Sequence, residues 1–155
     1  MLSVTFALSS LERILPPLPF MPPGARVGLA NVAVMYTVFF IGAKDAFALN
    51  ILKSALISLS RGPIAGALSL SGGVLSVCAL AFLVKIFGNK VSVVMISVAG
   101  AMAHNLGQLI VFALIMGLPP ALYYLPALMA VSIFFGIITG ITLNLILPVI
   151  KRGGY

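Results

Sequence analysis

The sequence predicts an all-α integral membrane protein, and three observations carry that prediction. Of its 155 residues 62% are hydrophobic and only 7% are charged, a balance outside the range of soluble globular domains. Apolar runs long enough to cross a hydrocarbon core of roughly 30 Å recur along the whole length. The runs are also continuous, where the strands of a transmembrane barrel would alternate apolar and polar residues. The chain therefore reads as a single transmembrane domain over residues 1–155, folded as a six-helix bundle.

Glycine, proline and charge punctuation sets the six segments at residues 1–15, 25–42, 43–60, 63–87, 91–116 and 121–150. The first would rise only about 22 Å at roughly 1.5 Å per residue. It lacks a basic leader and a small-residue cleavage site, so the expectation is a native segment rather than a cleaved signal. Its length fits a shallow span, a start further upstream, or a helix packed at an angle. The loop PPLPFMPPGA that follows has five prolines in ten residues and should be stiff and extended, either as an ordered cap or as a plain connector. Residues 91–150 contain no Asp, Glu, Lys or Arg and are too long for one crossing. The run GLPP at 117–120 is where they turn, because proline cannot continue the ladder of the fifth helix but is suited to opening the sixth.

Loop charges give the orientation. With both termini on one side, that face carries Lys44, Lys85, Lys90, Lys151 and Arg152, against Arg13, Arg26 and Arg61 on the other. The majority places both termini in the cytoplasm and the chain in the cell membrane. The net charge of +7 arises from residues that flank hydrophobic spans, so it does not point to nucleic acid.

Several chemistries are excluded. A single cysteine, Cys78, in an apolar run cannot form an intramolecular disulfide or a Cys-based metal site. No Walker A motif is present, so the chain cannot energise transport with ATP by itself. The two carboxylates, Glu12 and Asp45, fall near opposite faces, which excludes a paired acid–base site and the aspartate cluster that would hold magnesium on a diphosphate. The sequence thus predicts neither an enzyme, nor a metal site, nor a bound cofactor.

The same topology gives each polar side chain a depth. Glu12 and Arg13 lie near the outer end of the first helix, Arg26 and Asn31 at the start of the second, and Lys53 in the middle of the third, with Arg61 at its outer end. His104 is near mid-membrane in the fifth, with Asn105 and Gln108 slightly further out. A charge at the bilayer centre costs about 2.5–3.5 kcal/mol on insertion scales, so these groups should face inward. Asn50, Lys53, Ser54, Ser58 and Arg61 share one broad helical face, and Ala101, His104, Asn105 and Gln108 share another. Lys53 is too deep to snorkel easily and needs an anion, supplied by Glu12 or by a ligand. Each neutral polar residue has two readings, an interhelical hydrogen bond or a ligand contact. The excess of Arg13, Arg26, Lys53 and Arg61 over Glu12 suits a carboxylate or phosphate. Gly136 and Gly140, and Ser3 with Ala7, are small-residue pairs at which another helix can approach closely.

Six stretches in order, LERILPPLP (11–19), GARVGLANV (24–32), ILKSALIS (51–58), LSLSGGVLS (68–76), AMAHNLGQLIV (101–111) and YYLPAL (123–128), resemble the Gx transporter family. Its members are often labelled heptaprenyl diphosphate synthase component I, and the family is similar to the substrate-binding S components of energy-coupling-factor (ECF) transporters. The resemblance implies six helices, an outward-facing pocket under a structured first loop, and capture of a vitamin-like or isoprenoid or quinone precursor. It also implies partners: a transmembrane coupling subunit and two ATPases, with Ser3 and Ala7 approximating the docking pattern. Glu12, Arg26, Asn31, Lys53, Arg61, His104, Asn105 and Gln108 are then the candidate binding residues for a small anionic ligand.

Overall fold

A computed structural model describes residues 31–87 and 91–152, the side chains described being those of 33–87 and 91–145. Five helices make up this part: α1 (Asn31–Phe40), α2 (Ala43–Arg61), α3 (Pro63–Phe87), α4 (Val93–Met116) and α5 (Leu118–Arg152). Among the described residues there is no strand. The predicted first segment lies outside the described residues, as does the beginning of the second.

Local sequence explains where the helices begin and end. Gly62 and Gly117 turn the chain with φ of 95° and 92°, conformations that L side chains rarely adopt. Each caps the helix before it by donating its N–H to Ser58 O or Ala113 O. Ser92 caps α4, its Oγ accepting from Met95 N at 3.2 Å, so that helix starts two residues later than the apolar run suggests. Helix α5 starts at Leu118, three residues earlier than expected, because Pro119 and Pro120 fit a first turn whose N–H groups have no intrahelical acceptor.

Helices α3, α4 and the part of α5 over Leu118–Leu145 are long and apolar enough to cross a membrane. Helix α2 has 19 residues and so rises about 28 Å, but it carries Lys44, Asp45, Lys53 and Arg61. Large apolar side chains such as Leu59, Phe82, Leu114, Phe134 and Leu145 are exposed on the outside. That surface suits lipid, while the helices satisfy their own backbone groups. The protein is thus an all-α membrane protein.

Helices α2, α3, α4 and α5 pack in sequence order, each on its neighbour, and α1 touches all four. Among the described residues α2 and α4 both pack on α3 but not on each other. Contacts pair residues that ascend in one helix with residues that descend in the next, so neighbours are antiparallel. Gly136 and Gly140 illustrate this on α5, lying against the backbone of Val98 and Val94 on α4, where a Cβ would come within 2.6 Å of either Cα. Two apolar cores result. One draws on all five helices, through Val34, Ala46, Leu49, Val77, Leu80, Ile96 and Leu143. The other, toward Gly62 and Gly117, holds Leu68, Leu109, Phe112, Ala121 and Leu128 from α3, α4 and α5 only.

Candidate functional site

Between the two apolar cores lies a band of buried polar side chains. On α2 it comprises Asn50, Lys53 and Ser54, on α3 Ser69, and on α4 His104, Asn105 and Gln108, with Ser132 on α5. Lys53 is only 5% exposed, which takes its ammonium away from both lipid and bulk water.

Helix α3 accepts this band because its inward face is nearly free of side-chain bulk. A Cβ on Gly72 would lie 2.8 Å from His104 Cε1 and from His104 O, and one on Gly73 would collide with the Asn50 carboxamide. The adjacent glycines therefore seat the imidazole from α4 and the amide from α2 on the same stretch of α3. Asn50 is 0% exposed and its Nδ2 donates to Leu70 O at 3.2 Å. One turn further along, Ser54 Oγ donates to Ser69 Oγ at 3.3 Å. On α4, the Gln108 carboxamide and His104 Nε2 are hydrogen-bonded at 2.8 Å. Gln108 Oε1 is buried and has no hydrogen-bond partner among the described residues.

The charge on Lys53 acts on His104, although their helices do not pack together. Both of their helices pack on α3, which lies between them. The five-helix core lies on the Gly42 side of this band, while among the described residues the other core contains no residue of α1 or α2.

The sequence-predicted residues divide as follows. Lys53, His104 and Gln108 are all buried in the polar band, and His104 and Gln108 are hydrogen-bonded to each other. Asn105 turns the other way, its Nδ2 donating to Ser132 Oγ at 2.7 Å and to Leu128 O at 3.3 Å, so it ties α4 to α5. Arg61 sits partly buried at the end of α2, about 12 Å along the axis from Lys53 at roughly 1.5 Å per residue. Asn31 opens α1, with its side chain outside the described residues; Glu12, Arg26, Ser3 and Ala7 also lie outside them. Asn50 and Ser69 belong to the band but were not among the candidates. The signal for Asn50 was its position three residues before Lys53 and four before Ser54 on one helical face. Among the described residues no group of His, Cys, Asp and Glu could hold a metal ion.

Antiparallel apolar helices around a buried polar band with a cation at its centre define an integral membrane protein with an intramembrane polar site. Comparison with known families gives the particular one. The family model described as heptaprenyl diphosphate synthase component I matches residues 1–146, and the chain belongs to that family. No curated protein and no solved structure matches it.

Proposed function

We propose that the protein is the substrate-binding subunit, or S component, of an ECF-type importer in the cell membrane, capturing a small anionic cofactor or isoprenoid or quinone precursor from outside. The observation that carries this reading is the buried Lys53 in one polar band with His104 and Gln108. An ionisable group at membrane depth is costly and marks a ligand or ion pathway by default. Lys53 pairs with the anion, Gln108 and His104 orient it, and Arg26, Arg61, Asn31 and Glu12 act at the mouth. Asn105 supports the site from behind by holding α4 on α5. The proposed protein is a single six-helix domain over residues 1–155 with both termini in the cytoplasm. It is not itself an enzyme and relies on a coupling subunit, docked at Ser3 and Ala7, and two ATPases.

Mass spectrometry of small molecules extracted from the protein purified in mild detergent tests the reading. A stoichiometric anionic compound should accompany the wild type and be lost from Lys53→Ala. With that compound in hand, Lys53→Ala should weaken binding by roughly tenfold or more, about 1.4 kcal/mol. An unchanged dissociation constant would remove Lys53 from the site.

The family description favours a second reading, a membrane component of a heptaprenyl diphosphate synthase system. It requires that a soluble synthase subunit gain prenyl-transfer activity when this protein is added in lipid. Absence of any gain in the reconstituted system disposes of it.

A further inference from the structure

Of the charged side chains described, Lys44, Asp45 and Lys85 are exposed, and all three lie at the Gly42 end of the bundle. Helical geometry places the two lysines on the outward side of the seam between α2 and α3. On α2, Lys44, Ile51 and Ser58 are spaced by seven and share one stripe, and Ser58 meets α3 at Gly66. Leu49 and Lys53, which are buried, lie on the opposite side of the α3-facing residues Asn50, Ser54 and Ser58. On α3, Ala67, Val74, Cys78 and Lys85 form a stripe that is exposed throughout, one residue round from Gly66 and Gly73, which face α2. The two helices stay together down to this end, since Ala46 and Val77 are buried in one core. The seating of Asn50 on Gly73 sets Lys44 opposite Ala79. Lys85 is then about 9 Å further along at roughly 1.5 Å per residue, with adjoining axes about 8–10 Å apart. Two extended lysine side chains span that interval, so one phosphate group can lie between them.

The surroundings indicate what fits there. Asp45 is turned about 100° round α2 from Lys44, away from α3, and its Oδ2 lies beside Gly42 at the start of its own helix, where a carboxylate complements the helix dipole. Toward mid-membrane from the lysines, Ile51 on α2 and Leu70 and Val74 on α3 are exposed and apolar. An occupant of this face is therefore anionic at one end and apolar along the rest. A soluble anion meets only the first demand, and a second copy of the chain docked here would set lysine against lysine. An anionic phospholipid meets both, with its phosphate on the lysines and its acyl chains along the seam, and basic residues at the ends of membrane helices attract such lipids.

We propose that Lys44 and Lys85 form a binding site for an anionic phospholipid at the Gly42 end of the α2–α3 seam. This site is separate from the buried polar band and independent of the function proposed for that band.

The test uses the full-length protein in mild detergent, titrated with phosphatidylglycerol or with phosphatidylcholine of the same acyl chains, and reads the thermal unfolding midpoint. Phosphatidylglycerol should stabilise the wild type at concentrations where phosphatidylcholine has little effect. The Lys44→Gln, Lys85→Gln double variant should weaken the apparent affinity for phosphatidylglycerol at least fivefold; both lysines are exposed, so their replacement removes no buried contact. The Lys151→Gln, Arg152→Gln double variant, which removes the same charge at the C-terminal end of α5, should change that affinity less than twofold. Equal stabilisation by the two lipids overturns the site, because no charge is then recognised. Equal loss in the two double variants overturns it as well, because the response is then to net charge alone. Stabilisation by glycerol 3-phosphate as large as that by phosphatidylglycerol also overturns it, the occupant then being a soluble anion.

Discussion

At the level of single residues, the site depends as much on missing side chains as on polar ones. Asn50 and His104 come from helices that do not touch, and each finds room only because α3 presents Gly73 and Gly72. Gly73→Ala would place a methyl group on the Asn50 carboxamide, so the amide must leave its seat and give up its bond to Leu70 O. Overpacking of this kind costs typically 1–3 kcal/mol, which should appear as a lower unfolding midpoint in detergent. Asn50→Ala alone loses a hydrogen bond and should cost about 0.5–1.5 kcal/mol. Because the two changes act on one contact, the Gly73→Ala, Asn50→Ala double variant should be clearly more stable than the sum of the single losses implies. Strict additivity would show that Gly73 matters for some reason other than Asn50. Lys53 could be singled out by sequence reasoning because a charge ten residues into an apolar segment is conspicuous. Gly72 and Gly73 could not be assigned their seats in that way, since a glycine in an apolar helix carries no mark of which neighbour fills the space it leaves.

At the level of helices, boundaries were legible wherever chemistry punctuates the chain. The segment 63–87 coincides with α3, and 43–60 falls one residue short of α2. Where an apolar run continues into a cap or a proline turn, hydropathy alone misplaces the end, as at Ser92 and Leu118. The face that each helix presents was less legible. His104 and Asn105 are adjacent and equally polar, yet one faces α3 and the other α5. About 100° of helical rotation separates neighbouring residues, so a broad polar face can serve two partners at once. Only the positions of the adjoining helices decide between them. Asn105 answers to the interhelical hydrogen bond, a tie worth about 0.6–1.7 kcal/mol in a membrane. The pair Gly136 and Gly140 was readable as a place of close approach, and α4 of the same chain occupies it.

At the level of the whole molecule, function depends on the side of the membrane from which the polar band is reached. The described bundle has two ends, one with the turns at Gly62 and Gly117 and one with Gly42 and the connection between α3 and α4. The core at the Gly42 end gathers all five helices, whereas α1 and α2 are absent from the core at the Gly62 end. Lys44 and Lys85 lie at the Gly42 end and Arg61 at the Gly62 end, and the positive-inside rule predicts that the Gly42 end faces the cytoplasm. A subunit that captures its ligand from outside requires this orientation. Cysteine accessibility in intact cells can read it directly. Cys78 is exposed on α3, so the background is Cys78→Ser. In that background Ser60→Cys and Leu118→Cys, both at exposed positions, should react with a membrane-impermeant maleimide added outside. Ile86→Cys and Lys85→Cys should react only after the cells are permeabilised. The inverse pattern would turn the Gly62 end to the cytoplasm and reverse the sense of the charge bias. The polar band would then be reached from inside, where a synthase subunit would meet it, and the import reading would give way to the synthase-component one.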